Sequence, residues 1–389
     1  MPESAAMHEV AVVGGGPVGL LLACLLAQRG RDVVVLERRR QRSGGSRAIG
    51  IHPPGLRALA RVGLDSEVRA AAVEIRDGRV TCDGRVLGAM SFARAGSVWS
   101  LPQLETEELL RRRLRELAPG ALRAGIAVHE LHDRGTHVAL GAELAGDGEF
   151  ASEPTTVLAR YVVGADGVRS GIRNLLQIDW VAKPGRAHYV MCDTRDDTGE
   201  PATALLHFEP AGVVESFPMP GGRRRWVARV RRPLPDLRAD RVAAIVGSRV
   251  DGARFDAGAD VAGGPSAFEA RQHLAERMHR GRVALAGDAA HEISPIGGQG
   301  MNLGWLDALA LERELEHALE TGAPYDAFER YDRDRRASAA RAIRQAAFNM
   351  RMGAPASGGR LRLRNATVRA LAVPPLRAVL ARAFTMRWL

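Results

Sequence analysis

Residues 10–37, which read VAVVGGGPVGLLLACLLAQRGRDVVVLE, restrict the possible fold more than any other stretch of the chain. Residues 10–13 form an unbroken apolar, β-branched run, the composition of a strand buried on both faces. The run passes directly into Gly14, Gly15, Gly16, Pro17, Val18 and Gly19, which fit the pattern G-x-G-x-x-G. Residues 18–29 have the Leu- and Ala-rich character of a helix, and Gly30 stops it. A second buried strand follows over 32–36, with Glu37 at its end. In this order the glycines have separate duties. Gly14 permits the tight turn, Gly16 lets the backbone approach a pyrophosphate, and Gly19 lets the helix pack closely on the strand. The free N–H groups and the positive end of the helix dipole then face the phosphates. Glu37 lies 18 residues beyond Gly19, the spacing of a carboxylate that hydrogen-bonds a ribose hydroxyl. A carboxylate there disfavours a 2′-phosphate, so this stretch predicts FAD or NAD and leaves the choice to the rest of the chain.

Composition closes off other classes. With 389 residues, 46% of them hydrophobic, the chain can bury a core large enough for two domains, or for one domain with a sizeable insertion. Cys24, Cys82 and Cys192 are far apart and form no C-x-x-C pair. That excludes a disulfide scaffold or a zinc site and suits a reducing cytoplasm. The net charge of +10 raises the question of nucleic acid. Lys183 is the only lysine, however, and arginines are scattered along an Ala- and Gly-rich chain, which is the mark of a GC-rich coding bias. No nucleic-acid recognition motif accompanies the charge, and we expect no such partner. Residues 10–27 carry no charge and approach a membrane span in length, yet Gly14, Gly15, Gly16, Pro17 and Gly19 stand where a spanning helix would place Leu. We expect no stable membrane insertion, and we read residues 1–6 as a frayed leader.

Further along, Arg47 sits in SRAIGI, where a polar loop turns apolar ahead of a helix carrying Leu56, Leu59 and Val62. Residues 73–92 read as short β segments with turns at Asp77-Gly78 and Asp83-Gly84. Gln103 opens an amphipathic helix whose stripe is Leu104, Leu109, Leu110, Leu114 and Leu117. Strands follow over 126–131, 136–140 and 156–163, the last ending in GADGVRS with Asp166 at a frequent ligand position. Residues 183–246 change to short β runs punctuated by Pro and Gly, a mostly antiparallel sheet inserted into the dinucleotide fold. Residues 251–265 read as a loop. A buried strand at 283–286 leads into Gly287-Asp288, a glycine-rich loop over 295–300, and a helix starting near 300–302. This repeats the physics of the opening stretch, with backbone N–H groups at a helix start aimed at negative charge. Two such helix ends in one chain suit a long ligand that is polar at both ends. The C-terminal part is helical and Arg-rich, broken at Pro374-Pro375.

Three separated motifs stand together: GGGPVG with Glu37, GADGVRS at 164–170, and GDAAH…PIGGQGMN within 287–302. Together they resemble the class A FAD-dependent flavoprotein monooxygenases, the para-hydroxybenzoate hydroxylase-like aromatic and polyketide hydroxylases, over most of residues 7–336. The fold expected is α/β. A Rossmann-like FAD-binding domain (1–76, 99–180 and 269–324) carries an inserted, mostly antiparallel β-sheet substrate domain (77–98 and 181–268) and a helical C-terminus (325–389). By position, the resemblance implies that Gly14, Gly16, Pro17 and Gly19 hold the FAD pyrophosphate, with Glu37 on the adenosine ribose and Arg38 beside it. Arg47 matches an arginine near the FAD phosphates. Gln103 matches a residue near the flavin and ribityl chain, and Val128 a backbone contact to the adenine. Asp166 matches a position linked to FAD and NAD(P)H, and Asp288 the ribityl contact. Pro295, Gly298, Gly300, Met301 and Asn302 would line the isoalloxazine. The chemistry implied uses NADH or NADPH as co-substrate, O2, and a C4a-hydroperoxyflavin that hydroxylates an aromatic or polyketide-like secondary metabolite. No side chain is required as a nucleophile, so no catalytic residue is assigned, and no metal is expected. The substrate face should come from the inserted sheet and the loop before Pro295, with His188, His207, Arg225 and His291 as candidates to position a phenol; each is more readily read as structural or solvent-exposed, and none is named as a base. Reductases and cyclases that use FAD without oxygen insertion are the alternative. Flavin-dependent halogenases are excluded, because Trp99, Trp180, Trp226, Trp305 and Trp388 are isolated and Lys183 lies in the wrong region.

Overall fold

A computed structural model describes residues 7–41, 48–144, 155–253, 264–322, 324–374 and 376–387. The expected leader and Arg47 lie outside these residues, as does most of the expected loop over 251–265.

The opening strand, Met7–Val13, lies inside a sheet whose strands run in the order His279–Arg280, Val283–Leu285, Thr155–Gly164, Met7–Val13, Val33–Glu37, Leu122–Ala124. All of these neighbours pair in parallel except the first two. Val10, Ala11 and Val12 are fully buried, as a strand covered on both faces requires. The helix Pro17–Gln28 packs into the same core as Leu110 and Leu114 of helix Gln103–Leu117 and Leu303, Leu311 and Leu315 of helix Gln299–Thr321. From Met7–Val13 the chain first adds strands on one side and then crosses to Thr155–Gly164 on the other. That reversal is a topological switch point, and it opens a crevice at the carboxyl ends of the central strands.

The inserted sheet has seven strands, in the order Ser266–Ala270, Ala187–Arg195, Arg223–Val230, Gly212–Met219, Thr203–Glu209, Asp77–Cys82, Arg85–Ser91. Its pairs are antiparallel except Thr203–Glu209 with Asp77–Cys82. One face is covered by helix Ala239–Gly247, whose Val242 and Val246 pack on Val190, Val214 and Trp226. The opposite face carries Tyr189, Met191, Val227 and Phe268, and it looks toward the crevice. The expected turn at Asp83-Gly84 is present, with φ of +47° and +70°. The one expected at Asp77-Gly78 is instead the start of a strand. Gly78 pairs with Ala204 and Met90, and a Cβ there would meet the Phe92 ring at 3.3 Å, a tight contact.

The C-terminal helices Pro324–Met352, Gly358–Leu371 and Leu376–Phe384 return to both sheets. The Tyr331 hydroxyl donates to the Leu285 carbonyl at 2.8 Å, and Arg364 binds the carbonyl of Phe208. Among the described residues, no helix is long and apolar enough to cross a membrane.

Candidate functional site

A cavity of about 710 Å³ runs from the first glycine turn to the inner face of the inserted sheet. At its near end the turn is built from close backbone contacts. Gly14 has φ +114°, and a Cβ there would lie 2.3 Å from the Ala165 carbonyl oxygen. A Cβ on Gly19 would lie 2.1 Å from the Gly14 oxygen, so helix and strand meet only because both residues lack side chains. Gly16, the residue that begins helix Pro17–Gln28, has nothing within 4 Å of its Cβ position and faces the cavity. Protein atoms leave this space open to the cavity. Gly14, Gly16 and Pro17 line the cavity, whereas Gly19 serves the packing behind it.

Three carboxylates follow the carboxyl ends of three parallel strands: Glu37, Asp166 and Asp288, and all three line the cavity. Glu37 is buried and accepts hydrogen bonds from the Gly15 N–H (2.7 Å) and from the backbone and side chain of Arg39 (2.9 Å each). Burial works to raise its pKa, but these bonds outweigh it and leave Glu37 below the usual carboxylate range. Arg38 also lines the cavity; Arg39, which the sequence did not single out, holds the acid. Asp166 accepts from the Ile172 N–H at 3.1 Å, and its second oxygen, Oδ1, is buried with no partner. Arg173 ties this turn to the next by donating to the carbonyls of Val168 and Ala289, both at 3.0 Å, while stacking 3.9 Å over the Trp180 ring.

Asp288 is exposed to the cavity, and its turn is fixed from behind. Asp307, fully buried on helix Gln299–Thr321, accepts from the Gly287 N–H (3.0 Å), His291 Nε2 (2.6 Å) and Arg335 Nε (2.7 Å). Burial pushes the Asp307 carboxyl up, but His291 and Arg335 together hold it below its ordinary value. His291 is thus an anchor for the turn, fully buried and absent from the cavity wall, which corrects its candidacy as a substrate-positioning group.

The glycine-rich loop closes with the Gly298 N–H donating to the Pro295 carbonyl at 2.9 Å. Gly297 and Gly298 have φ of +92° and +66°, a conformation that only glycine adopts freely, and Gly298 begins the long helix. Pro295, Gly298, Gly300 and Met301 line the cavity. Asn302 does not. It clamps the loop from behind, accepting from the His52 N–H (2.8 Å) and donating to the carbonyls of Gly50 and Gly298 (both 2.9 Å). His52 is buried in the cavity wall, donates through Nε2 to the Gly297 carbonyl, and is pushed down to about 4 by burial. Gln103 lines the cavity and donates to buried Glu107 at 2.8 Å, and Val128 lies on the wall near Glu37 and Arg38.

The far wall is the inserted sheet. Met191, Phe217, Val227 and Phe268 give it an apolar surface. Arg225 lies on this wall, but Asp193 holds it through two bonds of 2.7 Å. Among them stands Glu215, buried, with its pKa pushed up to about 7 by burial alone. His188 and His207 do not reach the cavity: His188 lies 3.8 Å from Glu269, and His207 is hydrogen-bonded to Thr81 and stacked on Trp226. Phe384, from the last helix, completes the wall, stacked on Phe92 at 5.2 Å and edge-on to His52. Sequence reasoning missed Glu215, Asp307, Arg335 and Phe384. Of these only Glu215 carried a signal, a lone acid alternating with Val213 and Phe217 along a strand.

These features fit a flavin dinucleotide. The open Cβ space of Gly16, the strand-end acids and the amino end of the long helix together form a cradle that protein atoms do not fill. Comparison with known proteins gives the same answer. A domain model described as an FAD binding domain matches residues 7–346. The 12-dehydrotetracycline 5-monooxygenase/anhydrotetracycline 6-monooxygenase of Streptomyces rimosus is 34% identical over 349 residues, covering 87% of this chain and 68% of that protein. The dialkyldecalin synthase of Streptomyces rugosporus is 30% identical over 352 residues, covering 86% and 70%. The crystal structure of p-nitrophenol 4-monooxygenase from Pseudomonas putida DLL-E4 superposes with a TM-score of 0.83 at 25% identity, covering 97% of each chain.

Proposed function

The chain belongs to this FAD binding domain family, and from that premise we propose that it is a hydroxylase of an aromatic or polyketide-like metabolite. It is an FAD-dependent monooxygenase that consumes NADH or NADPH and O2. The observation that carries the proposal is one continuous cavity, cradled by glycine turns at one end and walled by an apolar sheet face at the other. The cofactor held by these residues would supply the redox chemistry, linking nicotinamide oxidation to the use of O2.

The chain's own residues bind, orient and exclude water. In this proposal Gly14, Gly16, Pro17 and Glu37 hold the ADP half, with Arg38 and Val128 beside it and Gly19 securing the turn. Asp288 takes the ribityl chain, with Gln103 and Asp166 next to it. Pro295, Gly298, Gly300 and Met301 meet the flavin ring, with Asn302 holding their loop. The unpaired N–H groups at the start of helix Gln299–Thr321 favour negative charge on the reduced ring. Segments 77–98 and 181–268 supply the substrate wall, whose apolar side chains keep water from the reacting edge.

The alternative reading is a reductase or cyclase of the same fold that uses the flavin without oxygen insertion, and one relative carries the name dialkyldecalin synthase. Turnover of an aromatic polyketide such as anhydrotetracycline under labelled O2, with NADH or NADPH oxidation followed in parallel, tests the proposal. Coupled oxidation and one labelled oxygen in the product are expected. A transformed product without label would replace the hydroxylase with the cyclase. Purified protein that fails to bind FAD would overturn both.

A further inference from the structure

The cofactor-holding residues account for the glycine turns and the strand-end acids, but not for Glu215. This acid lies on strand Gly212–Met219, in register with Val227 and Leu206, with Phe217 two residues on along the same wall. It is 5% exposed and has no hydrogen bond or ion pair with any described residue. Two cations lie diagonal to it by register, Arg225 and Arg229, and Asp193 already neutralises Arg225 with two short bonds. Arg229 is held by the Met350 carbonyl, and the Tyr189 hydroxyl, two strands away, is itself buried without a partner. A buried polar group left unpaired costs on the order of 1–3 kcal/mol. A wall of Met191, Phe217, Val227 and Phe268 would tolerate Leu or Met at this position without that cost. A carboxyl maintained there lacks its partner within the protein, and it faces the space where a ligand would lie.

We propose that Glu215 is the specificity-determining residue of the substrate wall: its carboxyl binds a phenolic or enolic hydroxyl of a neutral aromatic ligand and excludes ligands that carry a carboxylate there. The inference rests on the reading of this wall as the substrate side. A hydroxyl both donates and accepts, so it can satisfy the carboxyl in either protonation state. Burial holds the acid near neutrality, which keeps both states within reach. A ligand carboxylate would meet a like charge in an apolar enclosure, and the Asp193-bound Arg225 offers it no free counter-charge. The apolar side chains on either side accept the ring faces.

The test uses FAD-loaded protein titrated with 2-naphthol and 2-naphthoate at about pH 8, read through the flavin absorbance spectrum. The wild type is expected to bind the naphthol at least about tenfold more tightly than the naphthoate. Glu215→Gln keeps the hydrogen-bonding capacity and removes the charge. It should retain naphthol binding and bring the naphthoate to within about threefold of it. Glu215→Leu should lose naphthol affinity by about tenfold. Retention of bound FAD in each variant separates these effects from misfolding. Equal binding of the two probes to the wild type, a preference unchanged in Glu215→Gln, or binding of neither probe would overturn the proposal. A naphthol preference in protein that inserts no oxygen would leave Glu215 in place and remove the hydroxylase reading alone.

Discussion

Asp307 Oδ2 and His291 Nε2 meet at 2.6 Å, with neither side chain reaching solvent. The same carboxylate holds Arg335 and the Gly287 N–H, so a residue in the middle of a helix fixes the turn that presents Asp288 to the cavity. Buried charges are tolerated when paired, and removing one partner strands the others. Asp307→Ala should therefore lose about 3–5 kcal/mol of stability, measured by urea unfolding of the FAD-free protein. Because the Asp307 carboxyl sits below its usual value in the folded state, its contribution is present at neutral pH and disappears as pH falls through that lowered value. The gap in melting temperature between wild type and Asp307→Asn should hold from pH 7 to 5 and narrow below about pH 4. A gap that does not depend on pH would show that the ion pair is not its source.

Gly16 and Gly19 separate folding from binding. Gly19→Ala would drive a Cβ into the Gly14 oxygen, and an overpacked core of this kind costs about 1–3 kcal/mol. Gly16→Ala has open space and should leave the melting temperature of the FAD-free protein nearly unchanged. It should still weaken FAD binding by tenfold or more, on the order of 1.4 kcal/mol, because its methyl group projects where a pyrophosphate must approach. Isothermal titration with FAD, beside thermal melts of both variants, checks the pair. Unimpaired FAD affinity in Gly16→Ala would remove the pyrophosphate from this turn.

Asp288 faces the cavity on a turn that other residues hold. Asp288→Ala should leave stability within about 0.5 kcal/mol of wild type. The loss of a charged hydrogen-bond acceptor should raise the FAD dissociation constant by about tenfold to a hundredfold. An unchanged constant would place the ribityl chain elsewhere.

His52 is buried neutral, with its pKa lowered to about 4, and His207 is shifted in the same direction and to the same extent, again by burial. The unfolded chain takes up these protons near pH 6.5, and the folded chain only near 4. Stability should thus fall as pH drops between those limits, by at most on the order of 3 kcal/mol for each histidine. His52→Gln should flatten part of that slope in urea melts across pH 7 to 4; His207 continues to contribute in the same sense, and Glu215, raised to about 7, contributes in the opposite sense. A slope identical to wild type would mean that His52 takes up its proton without cost.

The glycine turns were legible because backbone approach leaves a chemical mark: only one residue type fits at Gly14, Gly19 and Gly298, and each appears at the expected spacing. The strand-end acids were legible for a related reason, since each closes an apolar run. Asn302 stands in the first turn of the helix that follows the loop, and its side chain turns back to Gly50 and His52, because each step along a helix swings the side chain by about 100°. Asp307 and Arg335 were invisible. Acids and arginines are ordinary on long helices, and nothing local distinguishes the pair that is buried from those in water. The histidines follow the blander of their two readings, since a residue type suited to proton chemistry is equally suited to structural hydrogen bonds, as His291 and His207 show.

Phe384 shows how the end of the chain enters the site. The C-terminal region reads as a separate Arg-rich helical segment, because its charges hide the single aromatic that matters. In the structure, helix Leu376–Phe384 brings that ring into the cavity wall, nearly parallel to Phe92 (10°) and edge-on to His52 at 5.9 Å. The stack lies on the side of Ile75, Val98 and Ala204, next to the inserted sheet. Removing the ring should therefore affect the ligand on that wall more than the cofactor. Phe384→Ala should keep FAD affinity within about threefold of wild type, because an aromatic pair of this kind contributes only about 0.5–1.5 kcal/mol beyond its buried area. The same variant should weaken 2-naphthol binding to the FAD-loaded protein by at least about tenfold and expose the wall to water. Phe384→Leu, which restores apolar bulk without the ring, should recover most of the binding if shape is what matters, and little if stacking is. An FAD affinity that falls as steeply as naphthol affinity would assign the helix to holding the cofactor domain together instead.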